Sequence, residues 1–288
     1  MPYSTIFYII TIYIRVIKSY IISMTSFQRL KHILLTDNPW QTILAEKELF
    51  DSTIQEMDGV PHVNYHSEGG VLDHVKLAFE EMLKIPDHDW LDLLIVLFHD
   101  VGKRKALAEN NGKNMAKHEE FSVDWFDSWN REHSTCDSVS ARYILPARWV
   151  IKTHMAAHHL HESKSPYKVM NIVTNEQFPR LARLATADAR ATLDESRKPR
   201  WSFSKVLASP NVQRWLGKPR PCPIVTADDF IDRGISSSNI EVLDTLVEFG
   251  LKIQLNSGHT VPERIIHDVL SCDKMKDIID RTKAMLGG

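Results

Sequence analysis

The stretch Leu91-Asp92-Leu93-Leu94-Ile95-Val96-Leu97-Phe98-His99-Asp100-Val101-Gly102-Lys103 runs from an apolar segment directly into a His-Asp pair. The part from Trp90 to Phe98 has too little polar surface for a helix with one wet face, so it reads as a helix buried on all sides. An unpaired carboxylate at the end of such a helix costs on the order of several kcal/mol and needs a cation beside it. A divalent metal ion supplies one. The stretch therefore predicts two things together: a helical core, and a polar site facing into that core at one end of its central helix.

Helical spacing recurs outward from this point. It covers Val71 to Lys84, His118 to Trp129, Ala147 to Glu162 and Gln177 to Leu193, while the polar, Asn-rich Glu109 to Asn114 reads as a loop and Val60 to Gly70 as irregular chain. Phe27, Leu30, Ile33 and Leu34, then Ile43, Leu44, Leu49 and Phe50, predict two short helices across Thr25 to Asp58, divided at Asn38-Pro39. Further on, Thr226 is a candidate N-cap and Gly234 a candidate stop, followed by helices at Ile240 to Leu251, after His259, and from Asp273 to Leu286. With only 11 Gly and 13 Pro in 288 residues and few alternating runs, a β-sandwich is excluded. The expected fold class is all-α: a helical bundle over 24–200 followed by a smaller helical C-terminal region over 201–288.

The segment Met1 to Ser23 is rich in Ile, Tyr and Phe, but Arg15 and Lys18 interrupt it and no cleavage signal follows. It reads as apolar sequence upstream of a start at Met24 and outside the mature fold, with a membrane anchor or a structured element as the alternatives. The formal charge of −2 argues against a generally basic nucleic-acid coat. Charge is nevertheless uneven, because Pro179 to Arg220 carries ten basic residues against three acidic ones. That segment is a candidate surface for phosphates, with a solvated basic face as the plainer reading. Cys136, Cys222 and Cys272 are widely spaced and form no CxxC pair, which excludes a cysteine zinc site and fits a reducing, cytoplasmic setting.

Eleven of the 14 histidines fall between His62 and His161, and this crowding selects the candidate metal ligands. His74 sits on the Val71 helix, His99 and Asp100 end the buried helix, and Asp188 lies in Ala-Thr-Ala-Asp-Ala-Arg, where small neighbours leave room for an inward carboxylate. Two His and two Asp form a mixed nitrogen and oxygen set, suited to Mn, Fe, Co, Ni or Mg.

These residues resemble the H…HD…D signature of the HD superfamily of metal-dependent phosphohydrolases. The string His66-Ser-Glu68-Gly69-Gly-Val-Leu-Asp-His74 is similar to the HxEGxxxxH stretch in the HD domain of bacterial tRNA nucleotidyltransferases. So are His118-Glu119-Glu120, His154 in Val-Ile-Lys-Thr-His, and Ala187-Asp188-Ala189-Arg190. The likeness extends over roughly residues 60 to 270 and includes Ile224 to Gly234, where Ala227 stands in place of a Gly and Ser-Ser-Ser in place of Pro-Gly-Pro. Residues 24–60 are too few to hold a nucleotidyl-transferring head, so CCA addition is excluded and the resemblance is to the hydrolytic part alone.

The resemblance implies a divalent metal site of one or two ions, with His74, His99, Asp100 and Asp188 on the first and His118 and His154 on a second. It implies that Asp100 orients a water, that Lys103 meets a phosphate oxygen, and that Arg190, His66 and Glu68 contact substrate. His158, His159 and His161 read as surface or pocket-rim residues. The implied activity is hydrolysis of a nucleotide or an RNA end, as a 2′,3′-cyclic phosphodiester or a terminal phosphomonoester, with no stable membrane partner and no indication of oligomeric state. A phosphohydrolase of free (deoxy)nucleotides and a non-catalytic RNA- or partner-binding module are the alternative expectations.

Overall fold

The computed structural model describes residues 26–62, 69–133 and 138–285, and among these the chain is all-helical with two isolated β-bridges. The expectations for Met1 to Ser23 and for His66 and Glu68 fall outside the described residues. The chain forms two compact units, the first holding the chain up to His158 with Glu176–Lys205, the second His159–Asn175 with the chain from Val206 onward.

The first unit contains α1 (Ser26–Leu34), α2 (Pro39–Ala45), α3 (Lys47–Met57), α4 (Val71–Met82), α5 (Trp90–Phe98), α6 (Lys103–Glu109), α7 (His118–His133), α8 (Ser138–His158) and α10 (Phe178–Ala191). Pro39 opens α2 as expected. The chain breaks a second time at Glu46, so three helices stand where two were expected. The extra break lets Trp40 and Ile43 on α2, and Leu49 and Phe50 on α3, all turn inward.

Every residue of α5 is buried, and α4, α7, α8 and α10 pack around it. Asp89 caps its start, accepting from the backbone N–H groups of Leu91 and Asp92 at 2.9 and 3.1 Å, while Asp92 Oδ2 accepts from Asp89 N–H at 3.0 Å. Asp92 is fully buried, and its charge is met by two arginines from the first turns of α10. Arg180 donates to Asp92 Oδ1 at 2.7 Å and to both oxygens of Asp89, and Arg183 donates to Asp92 Oδ2 at 3.0 Å. Eight residues separate Asp92 from Asp100 on one chain segment and Arg180 from Asp188 on the other. At a rise of about 1.5 Å per residue the Arg180–Asp188 span within α10 is about 12 Å, and the Asp92–Asp100 span has the same number of residues, its last two in the turn after α5, so the ion pairs at the start of the two helices help set the level at which their far ends meet.

At the end of α5 the chain turns tightly through His99-Asp100-Val101-Gly102. Gly102 N–H donates to Ser122 Oγ at 2.9 Å, which ties this turn to α7. Its φ of −73° is open to any residue; what requires glycine is close approach, because a Cβ there would run into the backbone of His118, Phe121 and Ser122.

In the second unit, a 3₁₀ turn (Leu160–Glu162) and α9 (Pro166–Val173) join the later helices. These include α13 (Ala227–Ile231), α14 (Ile240–Ser257), α15 (Pro262–Ser271) and α16 (Asp273–Met285). They enclose a core built on Phe230, Leu246, Ile265 and Val269. Two short helices, α11 (Phe203–Leu207) and α12 (Pro210–Gln213), lie between α10 and α13 in sequence. The division expected at residue 200 thus differs in two respects. It falls at Lys205, and 159–175 belongs with the later residues because α9 docks on α14: Tyr167 Oη donates to Glu248 at 2.5 Å and Ser165 Oγ to Asn256 Oδ1 at 3.1 Å. The helix expected over Ala147 to Glu162 accordingly ends at His158. Thr226 and Gly234 stand at the two ends of the α13 segment as anticipated, with Gly234 at a φ of +85°.

Gly102→Ala should therefore destabilise the first unit by about 1–3 kcal/mol or more, since backbone and not a flexible side chain blocks the added methyl. Urea unfolding measures this, and a wild-type midpoint for Gly102→Ala would contradict the packing described.

Candidate metal centre

Six buried side chains converge beyond the end of α5. They form two groups of three, His74 with His99 and Asp188, and Asp100 with His118 and His154; within each group the ligand atoms lie within 4.8 Å of one another. The groups share an edge at Asp100. Its Oδ2 is 3.3 Å from His99 Nε2 and 3.6 Å from His74 Nε2, and its Oδ1 is 3.1 Å from His118 Nε2 and 3.8 Å from His154 Nε2. Lys103, one turn on, places Nζ 2.5 Å from Asp100 Oδ2 and is itself buried.

The orientation of the rings decides what this cluster can hold. His99 Nδ1 lies 2.7 Å from Val96 O, His118 Nδ1 2.9 Å from Met115 O and His154 Nδ1 2.7 Å from Ile151 O. A carbonyl only accepts, so each Nδ1 carries the proton, and in the neutral ring each Nε2 presents a lone pair to the cluster. His118 Nε2 and His154 Nε2 then face each other at 3.2 Å with the Asp100 carboxylate alongside, acceptor against acceptor. His99 Nε2 is buried without a hydrogen-bond partner. Lone pairs brought together in this way fit a cation between them, and a backbone carbonyl behind each imidazole is the usual support of a metal-bound histidine. The two groups can thus hold divalent metal ions, through nitrogen and oxygen donors and no sulfur.

Electrostatics agrees with this assignment of charge. Burial holds His154 neutral well below its ordinary range, with neighbouring His118 and His99 adding to the effect, and burial likewise lowers His99. Burial opposes ionisation of Asp100 and Asp188 as well. The charge of Lys103 overrides it at Asp100, and hydrogen bonds from His158 and His74 override it at Asp188, so both carboxyls sit well below the usual range.

The remaining expected residues divide. Asp188 is on the last turns of α10, flanked by buried Ala185, Ala187, Ala189 and Ala191, with Oδ1 2.9 Å from His74 Nε2. Arg190 is two residues further round the helix and exposed, 3.9 Å from Glu81, and it is not among the cluster residues. His159 and His161 are exposed. Of the basic run, Arg180 and Arg183 serve Asp89 and Asp92, and Arg220 pairs with Glu248. Arg197 and Lys198 are exposed on a turn that follows the end of α10 and is closed by a bridge between Leu193 and Pro199, and Arg200 is exposed just beyond it.

One residue reaches the cluster that the sequence reading placed at the rim. His158 Nε2 lies 2.8 Å from Asp188 Oδ2, with the side chain 10% exposed. It follows His154 by four residues on α8, and that spacing puts the two rings on one helix face.

No family model matches the chain, and neither the curated proteins nor the solved structures yield a match.

The depressed His99 and His154 set a pH window for the metal-free protein. A base whose folded pKa lies below its unfolded value takes up protons more readily when unfolded, so its contribution is complete above the unfolded value of 6.5 and is lost as pH falls. The urea midpoint of metal-free protein should be level above about pH 7 and decline from about pH 6.5 towards pH 5. A level midpoint across that range would contradict neutral, buried imidazoles.

Proposed function

We propose that this protein is a metal-dependent phosphohydrolase acting on nucleotides or RNA ends, by hydrolysis of a 2′,3′-cyclic phosphodiester or a terminal phosphomonoester. The observation that carries the reading is the sharing of Asp100 between two buried ligand groups, one oxygen towards each. His74, His99, Asp188 and Asp100 would hold one ion, and Asp100, His118 and His154 a second. Divalent ions so bound supply Lewis acidity towards a phosphoryl oxygen and a water acidic enough to ionise near neutral pH.

The chain's own residues have complementary tasks. Asp100 balances the charge of whatever occupies the two groups and orients donors on both sides of itself. Lys103, anchored on Asp100, brings a positive charge to the rim of the cluster, where it would favour the added negative charge of a phosphate in the transition state. The ring orientations of His99, His118 and His154 are fixed by backbone carbonyls before any ligand arrives, so little reorganisation is needed on binding. Arg197 and Lys198 are exposed on the turn that follows α10.

A second reading, hydrolysis of free (deoxy)nucleotides, is favoured by one finding. Arg180 and Arg183 are used inside the fold, which shortens the basic surface available to a longer strand.

The test is hydrolysis of 2′,3′-cyclic AMP, 2′-AMP, 5′-dAMP, dATP and a short RNA with a cyclic end, each with Mn, Ni or Mg and with a chelator. Turnover should require metal and fall at least about 100-fold in Asp100→Ala, while His161→Ala stays near wild type. Preference for the cyclic and RNA substrates supports the first reading and preference for 5′-dAMP or dATP the second. Metal-bound protein that hydrolyses none of them overturns both.

A further inference from the structure

We infer that His158 is a positioning residue of this centre: it holds Oδ2 of Asp188 by a hydrogen bond and so presents Oδ1 to the metal. The inference rests on the metal-dependent reading proposed above.

A carboxylate can only accept, so at 2.8 Å from Asp188 Oδ2 the His158 Nε2 must be the donor. The three histidines whose Nδ1 bonds a carbonyl three residues back carry the proton on the opposite nitrogen. His158 makes no such bond, and its Nδ1 is buried without a hydrogen-bond partner. It also stands outside both ligand groups. Its Nε2 donates to Asp188 Oδ2 as His74 Nε2 does to Oδ1 in the metal-free cluster; what sets His158 apart is that it lies outside both ligand groups, so it stays a donor to a ligand when His74 gives up its proton to bind an ion.

What keeps it there is packing. The Trp201 ring meets the His158 ring edge to face, centroids 4.4 Å apart at 78°, and Phe203 approaches at 6.4 Å and 84°. Both aromatics belong to the chain that follows the turn after α10.

The consequence falls on Asp188. Its Oδ1 lies 2.9 Å from His74 Nε2, on the side of the first ligand group, and its Oδ2 lies against His158. The terminal torsion of an aspartate is broad, so a carboxylate bonded on one oxygen only would sample other orientations. A donor on Oδ2 removes that freedom and keeps Oδ2 away from the ion. Outer partners of this kind typically contribute 10- to 100-fold in metal affinity.

The experiment is calorimetric titration of Mn into the metal-free full chain, for wild type, His158→Phe, His158→Gln, Asp188→Asn and the His158→Phe/Asp188→Asn double variant, with melting curves of each metal-free protein. His158→Phe should weaken binding about 10- to 100-fold. His158→Gln, which keeps an N–H donor at similar reach, should recover most of that loss. The double variant should bind no more weakly than Asp188→Asn, because His158 acts through Asp188. Wild-type affinity in His158→Phe overturns the inference, and so does equal weakness of the Gln and Phe variants.

A measurement on wild type needs no variant to fold. Imidazole ¹⁵N shifts of the metal-free protein should report the proton of His158 on Nε2 and those of His99, His118 and His154 on Nδ1; a proton on Nδ1 of His158 would equally overturn it. The metal titration separates this claim from the hydrolase reading. The affinity pattern without turnover of any substrate leaves His158 in its role and removes the activity, whereas turnover with unchanged affinity in His158→Phe removes only the role of His158.

Discussion

Two ionised carboxylates, Asp100 and Asp188, stand among buried imidazoles where water is largely excluded, and the arrangement of the first unit follows from stabilising them. Burial by itself opposes the ionisation of both. Lys103 supplies a fixed charge to one, His158 and His74 supply hydrogen bonds to the other, and the lone pairs of His99, His118 and His154 leave room for more positive charge between them. A cluster with this balance is costly as a packing element, because apolar residues of similar volume would do the same structural work without the desolvation. Its retention in the interior is understandable if cations complete it.

The position of the cluster depends on the registry of α5 and α10. Asp92 and Arg180 near their starts, and Asp100 and Asp188 near their ends, are separated by equal lengths of chain. The ion pairs of Asp89 and Asp92 with Arg180 and Arg183 thus act as a clamp about 12 Å away from the candidate metal ligands. Gly102 does the corresponding work for α7, since its lack of a side chain lets the end of α5 touch the backbone that carries His118.

Much of this was legible in the sequence. The unbroken apolar run announced α5, and the spacing of His74, His99, Asp100 and Asp188 selected residues that the fold gathers into one place together with His118 and His154. What sequence could not show was pairing over distance. Arg180 and Arg183 read as part of a basic surface because their partners, Asp89 and Asp92, lie far back in the chain. His158 read as a rim residue within a crowded run of histidines, and only the i, i+4 step from His154 marks it as different from His159 and His161. The assignment of 159–175 to the second unit has the same cause, since Glu248 and Asn256 are distant partners of Tyr167 and Ser165. Local periodicity reports which face of a helix is apolar; it is silent on which remote charge or hydrogen bond completes a polar one.

The central claim is that Asp100 is shared by two cation sites. Crystals of the full chain grown with Mn, measured above and below the manganese absorption edge, test it most directly. The account predicts anomalous peaks on the two sides of the Asp100 carboxylate, one among His74, His99 and Asp188 and the other beside His118 and His154. Absence of anomalous density at Asp100 in protein shown by solution titration to bind Mn would contradict it.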